Sequence, residues 1–217
     1  MLSWFTRTAN SSIGKKALMS LTGLLLIGFL VAHLAGNFTF YADSDGEAFN
    51  AYAHLLESNP LLPVAELGLI VLFLGHIVMG IRVSAENRQA REQRYAVRAV
   101  HGGRTAGSRT MILTGITVLV FLIVHLLHFR LVKTHDSNLA EMVRHELSQP
   151  LGFGVYVVGL IAMGIHLSHA FKSALQTLGL HHGRYTPLLE KAGLGLAALL
   201  TLGFLSFPIY VFFFGGH

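Results

Sequence analysis

The chain has 217 residues, of which 53% are hydrophobic and only 12% charged, about half the charge of an average soluble domain. With a mean hydropathy of +0.57 it reads as an all-α integral membrane protein, and the absence of cysteine excludes disulfides, covalently attached haem and cysteine-ligated iron–sulfur clusters on this chain. The net charge of +5 does not mark a nucleic-acid binder, because the basic residues sit at the ends of apolar runs, where membrane topology accounts for them.

Residues 1–16 form a polar arm with Arg7, Lys15 and Lys16, and with Trp4 and Phe5 suited to a membrane interface. The apolar run that follows is too long for a signal-peptide core and is expected to be the first span, about residues 17–40. A loop with Asp43, Asp45, Glu47 and Glu57 but no Lys or Arg comes next. Residues 48–57 are predicted to form a short surface helix, and Asn59-Pro60 and Pro63 turn the chain into the second span, about 61–81. A basic loop carries Arg82, Arg88, Arg91, Arg94, Arg98, Arg104 and Arg109, broken by Gly102-Gly103 and Gly107, and leads to the third span, about 110–129. A mixed-charge loop, with a short helix expected around 140–147, precedes the fourth span, about 151–171. A second basic connection, 172–191, has Pro187 near the next helix start and leads into the fifth span, about 192–214.

Five spans put the termini on opposite sides. Thirteen of the sixteen Lys and Arg residues fall in the N-terminal arm and the two basic loops, against Arg130, Lys133 and Arg144 on the other side. The positive-inside rule then places the N-terminus in the cytoplasm and the C-terminus outside, with the chain in the cytoplasmic membrane.

Six histidines lie in the spans: His33, His76, His125, His128, His166 and His169. An ionisable residue within a membrane span reads as functional, and its partner has to be found. His33 is 17 residues beyond Lys16 and His125 is 16 beyond Arg109, so both lie about 25 Å from the basic side at the rise of an α-helix. His76 and His166 each precede a basic residue, Arg82 or Lys172, by 6 positions and lie about 9 Å from that side. Four histidines on four spans thus form two layers. Two imidazoles facing each other at one depth suit the axial positions of a haem iron, so His33 with His125, and His76 with His166, are predicted to hold two haems. Ala32, Ala35, Gly75, Gly80, Ala162 and Gly164 flank the candidates and leave room for a macrocycle, although small residues are common wherever membrane helices pack.

His128 and His169 follow His125 and His166 by three residues, on roughly the same helix face. Both are nearer water, and read either as hydrogen-bond partners of haem propionates or as interfacial histidines. Arg130 and Arg82, at opposite ends of the spans, are propionate candidates or helix anchors. Glu66 is 16 residues before Arg82 and therefore about 24 Å from the basic side, in the layer of His33 and His125. It is a candidate proton carrier for a quinone, or a helix-start residue reaching the interface. Asn37, one turn after His33, is a candidate for holding a quinone carbonyl, or a helix cap.

The segments KKALMSLTGLLLIGFLVAHLAGNF, FNAYAHLL, LGHIVMGIR, FLIVHLLHFRL and GIHLSHAF resemble the cytochrome b subunit of succinate dehydrogenase/fumarate reductase, and within it the type in which one five-helix anchor polypeptide carries two haems. The resemblance runs over nearly the whole chain in order. It implies a five-helix bundle with two b haems, the outer held by His33 and His125 and the inner by His76 and His166, the pairing given by the depths. It also implies a flavoprotein and an iron–sulfur subunit docked on the cytoplasmic face, and a quinone, typically menaquinone, near the outer haem. Some two-haem relatives carry a glutamate just before the fourth histidine; here those positions are Gly164 and Ile165. The function implied is electron passage between the iron–sulfur subunit and quinone, with no dicarboxylate chemistry on this chain. Two alternatives remain: the cytochrome b subunit of a hydrogenase or formate dehydrogenase, and a non-redox transporter using histidines and Glu66 for proton or metal passage.

Overall fold

A computed structural model of the chain describes residues 7, 10–89, 106–132, 138–180 and 182–215; Trp4, Phe5, Arg91, Arg94, Arg98, Gly102, Gly103, Arg104 and Lys133 lie outside the described residues. In hydrocarbon no water satisfies backbone N–H and C=O groups, so each apolar run closes its own hydrogen bonds as a helix. In chain order the helices are α1 (Ser12–Asn37), α2 (Glu47–Glu57), α3 (Leu62–Gln89), α4 (Ala106–Leu126), α5 (Leu139–Ser148), α6 (Pro150–Thr177) and α7 (Thr186–Phe214). A 3₁₀ turn over Phe38–Tyr41 extends α1, and a π-turn over Leu127–Leu131 extends α4. Among the described residues, α1, α3, α4, α6 and α7 are long and apolar enough to cross a membrane, the architecture of a multi-pass membrane protein.

The helices outrun the apolar stretches that announce them. α1 begins at Ser12 rather than near residue 17, α3 continues to Gln89 rather than 81, and α7 begins at Thr186 rather than 192. Hydropathy marks only the part suited to hydrocarbon, whereas a helix runs on until a cap stops it. Ser11 caps α1 by accepting from the Gly14 N–H at 3.0 Å, and Pro lies in the first turn of α6 and of α7, where a missing N–H costs nothing. The polar extensions are joined in pairs: Lys15 of α1 to Glu86 of α3, and Lys172 of α6 to Glu190 of α7 at 2.9 Å. We call this the basic end.

At the opposite end α2 and α5 lock into one cap. Asp43 accepts from the N–H groups of Gly46 (2.5 Å) and Ala48 (2.7 Å), and Gly46 supplies the positive φ of 80° that this turn needs. Asn50 of α2 donates to Asn138 Oδ1 at 2.8 Å and accepts from the Ala140 N–H at 3.1 Å. Arg144 of α5 donates to the Ser44 and Asp45 carbonyls and lies over the Phe40 ring.

α6 is the hub. It packs against α7, α4 and α1, and its buried face includes Tyr156, Leu160, Met163 and Leu167. Close approach depends on glycine: a Cβ on Gly159 of α6 would enter the Phe121 ring of α4, and one on Gly193 of α7 would enter the Phe171 ring of α6, the small-residue packing typical of membrane helices. α3 stands at the periphery, with none of its most apolar window buried. It packs against α1.

Gly159→Val is expected to force the Phe121 ring aside and cost about 1–3 kcal/mol, the usual range for overpacking, read as a lower Tm in detergent. Gly154→Val, on the same helix with open space at its Cβ position, serves as the control and is expected to leave Tm within a degree or two of the parent.

Candidate metal centres

The structure brings the four predicted histidines together as two facing pairs. His33 of α1 and His125 of α4 have ring centroids 5.9 Å apart, with planes at 81°. His76 of α3 and His166 of α6 are 6.4 Å apart, with planes at 79°. A metal–imidazole bond of about 2.0 Å on each side, plus about 1 Å from nitrogen to ring centre, puts two imidazoles on one metal about 6 Å apart. Both pairs stand at that spacing.

The helices carrying each pair do not pack extensively on one another among the described residues: α1 contacts α3, α6 and α7, and α4 contacts α6. The imidazoles therefore meet between helices whose backbones make few close contacts with each other. Among the described residues no group of three or more His, Cys, Asp or Glu side chains converges as for a bare metal ion. Two protein ligands per metal fit a macrocycle that supplies the remaining equatorial donors, which is how haem is held.

The surroundings of the pairs differ. At the inner pair, His76 Nδ1 lies 3.2 Å from the Met19 carbonyl and 3.3 Å from Thr22 Oγ1. His166 Nδ1 lies 3.4 Å from Thr114 Oγ1. At the outer pair the neighbours are aromatic. Phe29 stacks on His33 at 5.4 Å and Phe204 lies at 5.8 Å, while Phe121, Phe129 and Tyr156 surround His125. The buried Tyr156 places its hydroxyl 3.4 Å from His125 Nδ1. In three of the four histidines Nδ1 is thus occupied, leaving Nε2 for a metal, the arrangement in which an outer partner orients a ligating imidazole.

The chain is similar to the succinate dehydrogenase cytochrome b558 subunit of Bacillus subtilis (strain 168). The two are 27% identical over 173 residues, covering 76% of this chain and 79% of that protein. No family model matches the chain, and no solved structure matches it significantly.

The other sequence candidates find different neighbours. Glu66 of α3 and Arg130 of the π-turn pair with each other: Arg130 Nε donates to Glu66 Oε1 at 2.8 Å and an Nη to Oε2 at 3.0 Å. Asn37 turns back on its own helix, its Nδ2 3.5 Å from His33 Nε2. His128 stacks on Tyr156 and lies 3.2 Å from Glu146 Oε1, lining a cleft of about 360 Å³ with Asn138, Glu141, Met142, His145 and Glu146. His169 is half-buried one turn after His166, and Arg82 is exposed at the basic end. Sequence reasoning did not single out Thr22, Thr114 or Tyr156. For the threonines a signal exists: Met-x-Leu-Thr-Gly occurs at 19–23 and again at 111–115, each time ending ten residues before a span histidine. Tyr156 carries no such mark.

The Glu66–Arg130 pair joins α3, which is otherwise packed on α1, to the end of α4. Both side chains are partly exposed, 34% and 55%, so Glu66→Gln or Arg130→Gln is expected to cost no more than about 1 kcal/mol. The exchanged double variant, Glu66→Arg with Arg130→Glu, should recover part of that loss in a double-mutant cycle of detergent unfolding.

Proposed function

We propose that this chain is the dihaem cytochrome b anchor of a succinate:quinone oxidoreductase, a succinate dehydrogenase or fumarate reductase. The observation that carries the reading is the two facing imidazole pairs, each at the spacing of two ligands on one metal. The similarity to a subunit named for succinate dehydrogenase and cytochrome b supports the enzyme class. Haem b at each pair supplies one-electron exchange at its iron, so the activity proposed is electron passage between an iron–sulfur subunit and membrane quinone.

The chain's own residues bind and shield. His33 and His125 hold one haem; His76 and His166 hold the other. Phe29, Phe204, Phe121 and Phe129 exclude water around the outer pair, while Thr22, Thr114 and the Met19 carbonyl orient the inner one. The bias of basic residues supports an inner pair toward the cytoplasm, where a flavoprotein and an iron–sulfur subunit would dock at the basic end. Quinone, menaquinone in this reading, would react near the outer pair. There Asn37 is the nearer candidate to the redox centre, through its contact with His33, and Glu66 is held by Arg130. Arg82 at the basic end, and His128, Arg130 and His169, remain candidates for haem propionates; His128 is already engaged by Glu146 and Tyr156.

The purified complex is expected to show a b-type visible spectrum that sharpens on dithionite reduction, with two haems per chain, and mass spectrometry should find a flavoprotein and an iron–sulfur subunit with it. His125→Ala and His166→Ala should each remove one haem and leave the other. A colourless protein would sink the proposal.

A further inference from the structure

The repeated Met-x-Leu-Thr-Gly segments have the same geometry on two different helix pairs. In α1, Thr22 Oγ1 donates its hydrogen to the Leu18 carbonyl at 2.8 Å, with the Met19 carbonyl at 3.1 Å. In α4, Thr114 does the same with the Thr110 and Met111 carbonyls, at 2.9 and 3.2 Å. With its proton spent within its own helix, each threonine oxygen meets the incoming imidazole as an acceptor. His76 has a second neighbour as well, the Met19 carbonyl, which can only accept. Both contacts therefore require the hydrogen on Nδ1 of His76 and of His166. The glycine that follows completes the fit. A Cβ on Gly23 would lie 3.1 Å from His76 Cε1, tighter than ordinary contact, and one on Gly115 would lie 3.5 Å from His166 Cε1. Each glycine thus faces the same ring edge.

We infer that Thr22–Gly23, with the Met19 carbonyl, and Thr114–Gly115 are cradles that fix His76 and His166 as Nδ1–H imidazoles and present both Nε2 atoms to one metal. Each cradle lies on the helix that pairs with the ligand's own: α1 holds the α3 ligand, and α4 holds the α6 ligand. The two contributors to the inner centre are thus set by the same device, used twice. The outer pair has no such symmetry, with a tyrosine hydroxyl on one histidine and an asparagine on the other. The inference rests on the haem reading above for the identity of the metal group, but the tautomer it assigns does not.

A hydrogen bond from the far nitrogen makes an imidazole a more basic ligand, which favours the ferric state. Thr22 and Thr114 are then positioning residues for the same haem. The test uses the full complex, with Thr22→Val and Thr114→Val, singly and together, beside Thr22→Ser and Thr114→Ser. Both valine variants are expected to raise the midpoint potential of one and the same haem. Each should shift its ferric/ferrous ratio by about three- to tenfold, the range of one hydrogen bond; tenfold corresponds to 59 mV for one electron. The ferric low-spin EPR signal of that haem should change with it, and the serine variants should match the parent. Loss of that haem in the valine variants, with retention in the serine variants, is the stronger form of the same result. Unchanged potentials and EPR in the double variant, or threonines that act on different haems, would overturn the cradle. Nitrogen-15 spectra of the histidine-labelled chain in lipid give a readout independent of haem. Protonated Nδ1 at His76 and His166 supports the inference, and protonated Nε2 sinks it. A haem-free parent chain with protonated Nδ1 would instead count against the proposed function alone.

Discussion

Everything in this bundle turns on getting four imidazoles into hydrocarbon in two facing pairs. A neutral imidazole in such a setting has one donor and one acceptor to satisfy, and an unmet polar group in lipid costs several kcal/mol. In the inner pair Nδ1 of each ring faces a threonine oxygen, and that of His76 the Met19 carbonyl too, which leaves the lone pair of Nε2 in need of a partner. A metal on that side would satisfy both rings of a pair at once. α3 sits at the edge of the bundle with little of its surface covered, held by its packing on α1, by Lys15–Glu86 and Glu66–Arg130, and by the meeting of His76 with His166.

The two centres are built from different materials. Around the outer pair the walls are rings, and Tyr156 is the principal hydroxyl. The inner pair is surrounded by small residues, hydroxyls and exposed carbonyls. α6 reaches both, carrying Tyr156 at one level and His166 at the other, and it is also the helix with the largest buried face. Scaffold and centres are therefore the same object, so packing on α6 and the placement of His125 and His166 cannot be altered independently. Glycines at 159, 164 and 193, each with a side chain lying where a Cβ would go, bring α4, α6 and α7 to that shared position.

Much of this was legible in the sequence because membranes simplify it. Five apolar runs became five long helices, and both short connecting helices formed close to their expected positions. The histidine partners followed from counting residues to the nearest charge, since the helix rise converts sequence distance into depth. That counting is blind to azimuth. It could not say that the Glu66 carboxylate would face Arg130, nor that Asn37 would fold back on His33 or His128 turn toward Glu146. It also missed Thr22 and Thr114, because a threonine in a membrane helix most often satisfies itself on the preceding turn. These two do so as well, and only the geometry shows that the oxygen has a second use.

The Lys15–Glu86 clasp and the tight contact of α4 with α6 divide the histidine-bearing part of the chain into two antiparallel hairpins, α1 with α3 and α4 with α6. Neither hairpin contains a complete pair. His33 and His76 belong to one, His125 and His166 to the other, so each centre is two half-sites that exist only after the hairpins dock. A group bound there would act as a rivet between the two hairpins.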